Sequence, residues 1–293
     1  MTGLFQPLAS LTPLLAEVDR RALPLLGERM GLAAFITNSC LVAAIVLGVL
    51  LWLSRKATTN MQLVPHRTQN LFEFVVESLY SRLEGIIGPK VTARAFPLLA
   101  TLFVFILVSN WFGLIPGVGT IGWGKGSGPL TVEEVGLPLF RPATADLNMT
   151  LGMALAFMVF WTFLTISETG VWKFLVHMFG PKGGMKGLMG ALLAVIFFGV
   201  GIIEIISILI RPVSLSLRLY GNIFAGETLL HTMMSLADKA PVPVPQICSI
   251  LLPLPFYFME LLVGLVQAMV FTLLCAVYIQ LSTAHEEHGE EHH

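Results

Sequence analysis

Charge is what this sequence has least of. Of 293 residues, 17 are Lys or Arg and 18 are Asp or Glu, so charged residues make up 12% of the chain. A typical soluble domain carries about 25%. The formal net charge of −1 says little, because in a membrane protein the distribution of charge matters more than its sum. Cysteine is also scarce. Cys40, Cys248 and Cys275 sit in apolar runs at unrelated spacings, which excludes a disulfide framework and a cysteine metal site and leaves them as small buried hydrophobes. Residues 1–30 lack the basic start and single apolar core of a cleavable signal. They read as an N-terminal extension in which Leu11, Leu14, Leu15 and Val18 suit one face of a short surface helix. No HExxH and no phosphate-cradling Gly-Lys-Ser/Thr loop occurs. His177 and His231 stand isolated, so an intramembrane hydrolase lacks its nucleophile–base pair or metal ligands. No convincing internal repeat supports a self-contained transporter. No cofactor, metal or nucleic-acid partner is expected.

What is present is apolar: 55% of the residues are hydrophobic and the mean hydropathy is +0.81. The chain reads as an all-α polytopic membrane protein, with its membrane domain over 31–282. Three upright spans are expected, at about 33–53, 96–115 and 147–166, each near the roughly 20 residues a bilayer requires. Trp52 with Arg55 and Lys56 anchors the first. Asp146 or Asn148 can cap the third. Between the first two, Leu71, Phe72, Val75, Val76, Leu79, Leu83 and Ile86 recur at helical spacing with Glu73, Glu77 and Glu84 on other faces. That predicts an amphipathic helix over 67–87 lying along the membrane surface. Residues 118–146 read as a Gly- and Pro-rich loop with room for a short hairpin.

The stretch 188–237 is different. It is almost continuously apolar, yet it holds Glu204, Arg211, Arg218, Asn222, Glu227 and His231. As one helix it is about 75 Å long, against a bilayer core of about 30 Å. Pro212 alone can kink a helix without reversing it, so a single long tilted helix is expected. The final run, about 247–282, is again too long to cross upright and carries Glu260 and Gln267 on one face. The two form a tilted helical hairpin over 188–282. The tail, 283–293, is rich in Glu and His; it can bind metal but reads as a solvated end. Basic residues put the connections at 55–95 and 168–187 on the cytoplasmic side. The N-terminus is then outside and the tail cytoplasmic.

Ionisable groups at membrane depth are costly and by default functional. Arg218 and Asn222, four apart, share a face. Glu227, nine beyond Arg218, points to nearly the opposite side, about 14 Å toward the outside. Glu204, fourteen before, is near the arginine's face and about 21 Å toward the cytoplasm. His231 lies with Glu227 or is simply interfacial. Asn222 and Gln267 either line a path or only bond between helices. Arg211 can snorkel or meet lipid phosphate. A guanidinium stays charged, whereas burial favours a carboxyl's neutral form and lets it exchange protons near neutrality. A fixed cation with carboxyls on either side makes a relay interrupted by a barrier.

At PVSLSLRLYGNIFAGE, residues 212–227, the chain resembles the a subunits of the F-type ATP synthase membrane sector. FPLLATLFVFILVSNWFGLIPG, PTADLNMT and the closing run with Glu260 and Gln267 extend the resemblance over most of 60–282. It implies a non-catalytic stator subunit of a bacterial inner membrane, set in a hetero-oligomeric complex with c-ring subunits, b-type peripheral stalk subunits and lipid. The residue matching Arg218 would face the ring and separate two ion half-channels. Those matching Glu227 and Glu260 would belong to the outer half-channel, those matching Asn222 and Gln267 would lie near the arginine, and Glu204 would be on the inner side. Family members vary between Glu and His at the two outer positions, and this chain has Glu at both. Ser216 stands where Gly is frequent.

Overall fold

The structure is a computed structural model that describes residues 37–59, 61, 67–115, 118, 122–125, 134–138, 140–170, 188–238 and 251–283. The N-terminal extension, the His/Glu tail beyond Thr283 and the 171–187 connection lie outside the described residues. Among the described residues five helices are long and apolar enough to cross a membrane, so the protein is an all-α multi-pass membrane protein.

Helix α1 is Asn38–Thr58. Thr37 opens it, its hydroxyl accepting from the Cys40 amide. Arg55 and Lys56 fall in its last turn, where cations suit the helix dipole, and the Lys56 ammonium lies 5.1 Å from the Trp52 ring centre. Helix α2, Arg67–Ile87, has the expected amphipathic bounds. Its buried Leu79, Leu83 and Ile87 join the core, and it packs on α1 and on α3 and α6, whose ranges follow.

Helix α3 is Pro89–Gly113. It begins seven residues before the expected 96, because Lys90, Thr92 and Arg94 mask its first turns in a hydropathy reading. Gly88 takes φ +85 and Pro89 occupies the first helical position, where the missing amide costs nothing. Gly113 ends the helix against Pro142, whose ring fills the space a side chain would need. The connection that follows carries two short antiparallel strands, β1 Gly122–Lys125 and β2 Glu134–Pro138, the hairpin for which the loop has room. A 3-10 turn, Ala143–Ala145, is wholly buried. Helix α4 is Leu147–Thr169, and of the two candidate caps it is Asp146 that acts, accepting from the Asn148 amide at 3.0 Å.

Helix α5, Leu188–Asp238, runs 51 residues without a break and with Pro212 inside it. Helix α6 is Leu254–Thr283. Pro253 lies in the turn just before it, and residues 247–250 of the expected run lie outside the described residues. At 30 residues it spans about 45 Å.

The core is shared by α3 (Leu99, Leu102, Phe103, Ile106), α4 (Phe157, Trp161, Leu164), α5 (Leu215, Leu219) and α6 (Phe271, Cys275, Ile279). Helix α6 is central and packs on α2, α3, α4 and α5. Helix α5 is peripheral: its most apolar window is 11% buried, against 44% for α6. The helix that carries the charged group is therefore the one most open to another molecule.

Candidate functional site

Helix α5 divides its faces sharply. Ile203, Ile206, Ile210 and Leu217 are 67%, 50%, 56% and 50% exposed, and Ser214, Arg218, Gly221 and Ala225 are exposed as well. At about 100° per residue these positions fall within roughly 60° of one direction. Pro212, Leu215, Leu219, Gly226 and Leu230 are buried and define the opposite side. Arg218 lies on one flank of the exposed stripe and Glu227 on the other flank of the helix. Small side chains at 214, 221 and 225 let a neighbouring helix approach closely, as small residues do in membrane interfaces.

The guanidinium of Arg218 makes no hydrogen bond or ion pair with another of the described residues. The other polar groups turn inward. Asn222 donates from Nδ2 to Gln267 Oε1 at 2.5 Å, joining α5 to α6. Gln267 is buried, and its Nε2 has no partner among the described residues. Glu227 is half-buried, with Oε2 fully enclosed and likewise unpartnered there. Glu260 is 7% exposed, and its carboxyl lies directly over Gly226, in the space a Cβ would fill. Glycine at 226 thus seats the α6 carboxyl against α5, one residue from Glu227. Glu204 is half-buried and His231 exposed. Neither is brought into the Asn222–Gln267–Glu260 group.

Sequence reasoning leaves three residues that shape this site outside it. Asn110, 4% exposed near the end of α3, donates to the Gly264 carbonyl at 3.1 Å. Next to it, Trp111 donates from Nε1 to the Leu261 carbonyl at 3.1 Å. A helical carbonyl keeps a second lone pair after its own ladder bond, so α3 grips α6 between Glu260 and Gln267 without breaking it. The signal for Asn110 was an amide inside an apolar run. The third is Arg211, whose guanidinium carbon lies 5.5 Å from the Trp161 ring centre and 4.9 Å from that of Tyr278.

Fold and site together define a polytopic helical membrane protein that carries, on an open helix face, an arginine without a partner among the described residues, with buried carboxyl and amide groups behind it. A family model described as ATP synthase A chain matches residues 36–280, and the chain belongs to that family. Similar proteins include the ATP synthase subunit a of Protochlamydia amoebophila (strain UWE25), 34% identical over 230 residues that cover 78% of this chain and 73% of the relative. That of Aliarcobacter butzleri (strain RM4018) is 33% identical over 246 residues, 83% of this chain and 89% of the relative. That of Geobacter sulfurreducens (strain ATCC 51573 / DSM 12127 / PCA) is 36% identical over 247 residues, 82% of this chain and 86% of the relative.

Proposed function

We propose that this chain is the stator subunit of an ATP synthase membrane sector, forming two ion half-channels against a rotating ring of c subunits and coupling proton translocation to ATP synthesis. The observation that carries this reading is Arg218: a cation at membrane depth, on the least buried of the candidate spans, exposed and without a partner among the described residues. A charge held there requires an anionic group from another molecule. A carboxyl on a ring helix supplies one.

The mechanism follows from the cost of charge in lipid. A ring carboxyl facing hydrocarbon must be neutral. Opposite Arg218 its ionised form is stabilised, so during synthesis it releases its proton to the inner side, where Glu204 stands. It takes up another from the Glu227 and Glu260 side before returning to lipid. Asn222 and Gln267 hold α5 and α6 together beside the arginine. Arg218 cannot release its own proton, so it blocks direct leakage between the two paths. The driving energy is about 2.3 kcal/mol per charge per 100 mV. The chain itself performs no ATP chemistry. It sits in a bacterial inner membrane with its N-terminus outside and tail inside, alongside the ring, b-type stalk subunits and lipid. His231, exposed beyond Glu227, belongs to the outer mouth.

Replacing Glu227 tests the outer path. Glu227→Gln keeps the shape and removes the titrating group, so proton flux through the membrane sector in vesicles should slow. Unchanged flux would remove Glu227 from the path.

A further inference from the structure

Arg211 has no part in the relay just described, yet it is held by side chains of two other helices. Its guanidinium faces two aromatic rings, Trp161 of α4 at 5.5 Å and Tyr278 of α6 at 4.9 Å. The indole is also tied to α6, because Trp161 Nε1 donates to the backbone carbonyl of Tyr278 at 3.0 Å. Trp161 is 3% exposed, so one member of the node is anchored in the core. The node ties α4, α5 and α6 at a single level.

That level is where α5 is weakest. Pro212, the next residue, has no amide to donate, so the carbonyl of Ile208 loses its ladder bond and the proline ring crowds it. A proline inside a long helix is the usual site of bending. Helix α5 is otherwise supported on one face only, with 11% of its apolar window buried. Arg218 lies seven residues further on, about 10.5 Å along the axis. A small change of angle at Pro212 is carried to Arg218 as a displacement toward or away from the exposed side.

We infer that Arg211 is a positioning residue: braced between Trp161 and Tyr278, it fixes the direction of α5 where Pro212 removes a ladder bond and so sets how far Arg218 is presented to the partner helix. This rests on the stator reading above. The chemistry suits arginine, whose flat, weakly hydrated guanidinium stacks on rings and stays charged.

The test uses the assembled complex in inverted membrane vesicles and reads the ratio of ions pumped to ATP hydrolysed, at equal complex content. A purely structural loss lowers the amount of complex and leaves that ratio alone. Arg211→Gln should lower the ratio, and Arg211→Lys, which keeps the charge but loses the flat stacking face, should restore only part of it. Combining Arg211→Gln with Pro212→Ala should also recover the ratio, because the alanine amide restores the ladder bond and stiffens the helix at that point. An unchanged ratio in Arg211→Gln overturns the inference. So does a loss that Pro212→Ala fails to reduce, since the arginine would then act otherwise than as a brace. If Arg211→Gln does not assemble, Trp161→Phe, which weakens the node by removing its indole hydrogen bond, should lower the ratio in the same direction, and an unchanged ratio there overturns the inference. Arg218→Ala runs alongside. If that variant couples normally, the stator reading itself falls, whatever Arg211 does.

Discussion

Substituting Gly226 separates the stability of this protein from its transport. The Cβ of an alanine there would occupy the space of the Glu260 carboxyl group. The obstructing atoms are the far end of a flexible side chain, so the carboxyl moves and the backbone stays. Overpacking a well-filled site costs about 1–3 kcal/mol, and displacement of a side-chain end puts this case near the lower figure. Against it, alanine in a helix interior gains about 0.8–1 kcal/mol over glycine. The two nearly cancel. Gly226→Ala should therefore assemble in near-normal amount while its ATP-driven ion pumping falls severely, because Glu260 has lost its seat beside Glu227. Assembly is read by the content of the purified complex, and pumping by quenching of a pH-sensitive dye in inverted vesicles. Adding Glu260→Asp, one methylene shorter, should return part of the pumping. Normal pumping in Gly226→Ala would refute the claim that the buried position of Glu260 serves transport. Loss of assembly would refute the claim that the side chain, not the backbone, yields.

Asn222→Ala leaves both ends of the Gln267 amide without a partner among the described residues, at a cost of about 1–3 kcal/mol. Adding Gln267→Ala should cost less than the sum of the single changes, as thermal inactivation of the solubilised complex would register; strict additivity would mean that the 2.5 Å bond carries no coupling. Gly113→Ala meets the Pro142 ring, which yields less readily than a chain end, so a loss of about 1–3 kcal/mol in stability is expected. A neutral result in the same assay would show the turn after α3 to be more pliant than its packing implies.

The helices were legible because hydropathy and length are local properties. The run 188–237 has no turn cluster, and it is one helix. The amphipathic spacing over 67–87 marked the helix, though Leu79 and Leu83 of the face expected to lie along the membrane join the core; of the two candidate caps, Asp146 and Asn148, it is Asp146 that acts. The polar groups separated correctly in angle, since a 3.6-residue repeat carries Arg218 and Glu227 to opposite flanks. Contacts between distant segments were not legible. Asn110 and Gly264 are 154 positions apart, and nothing in either local sequence names the other. The seat of Glu260 on Gly226 depends on the register of two helices, which no single-helix periodicity fixes. Arg211 read as a residue free to snorkel because its charge was visible and the rings over which it stacks belong to other helices.

The central claim is that Arg218 separates two ion paths on the open face of α5. Its most direct test is Arg218→Ala in the assembled complex, with ATP-driven pumping measured in inverted vesicles and passive proton flux measured under an imposed potential. The account predicts that the complex assembles and that ATP-driven pumping is abolished. Normal coupled pumping by that variant would contradict it.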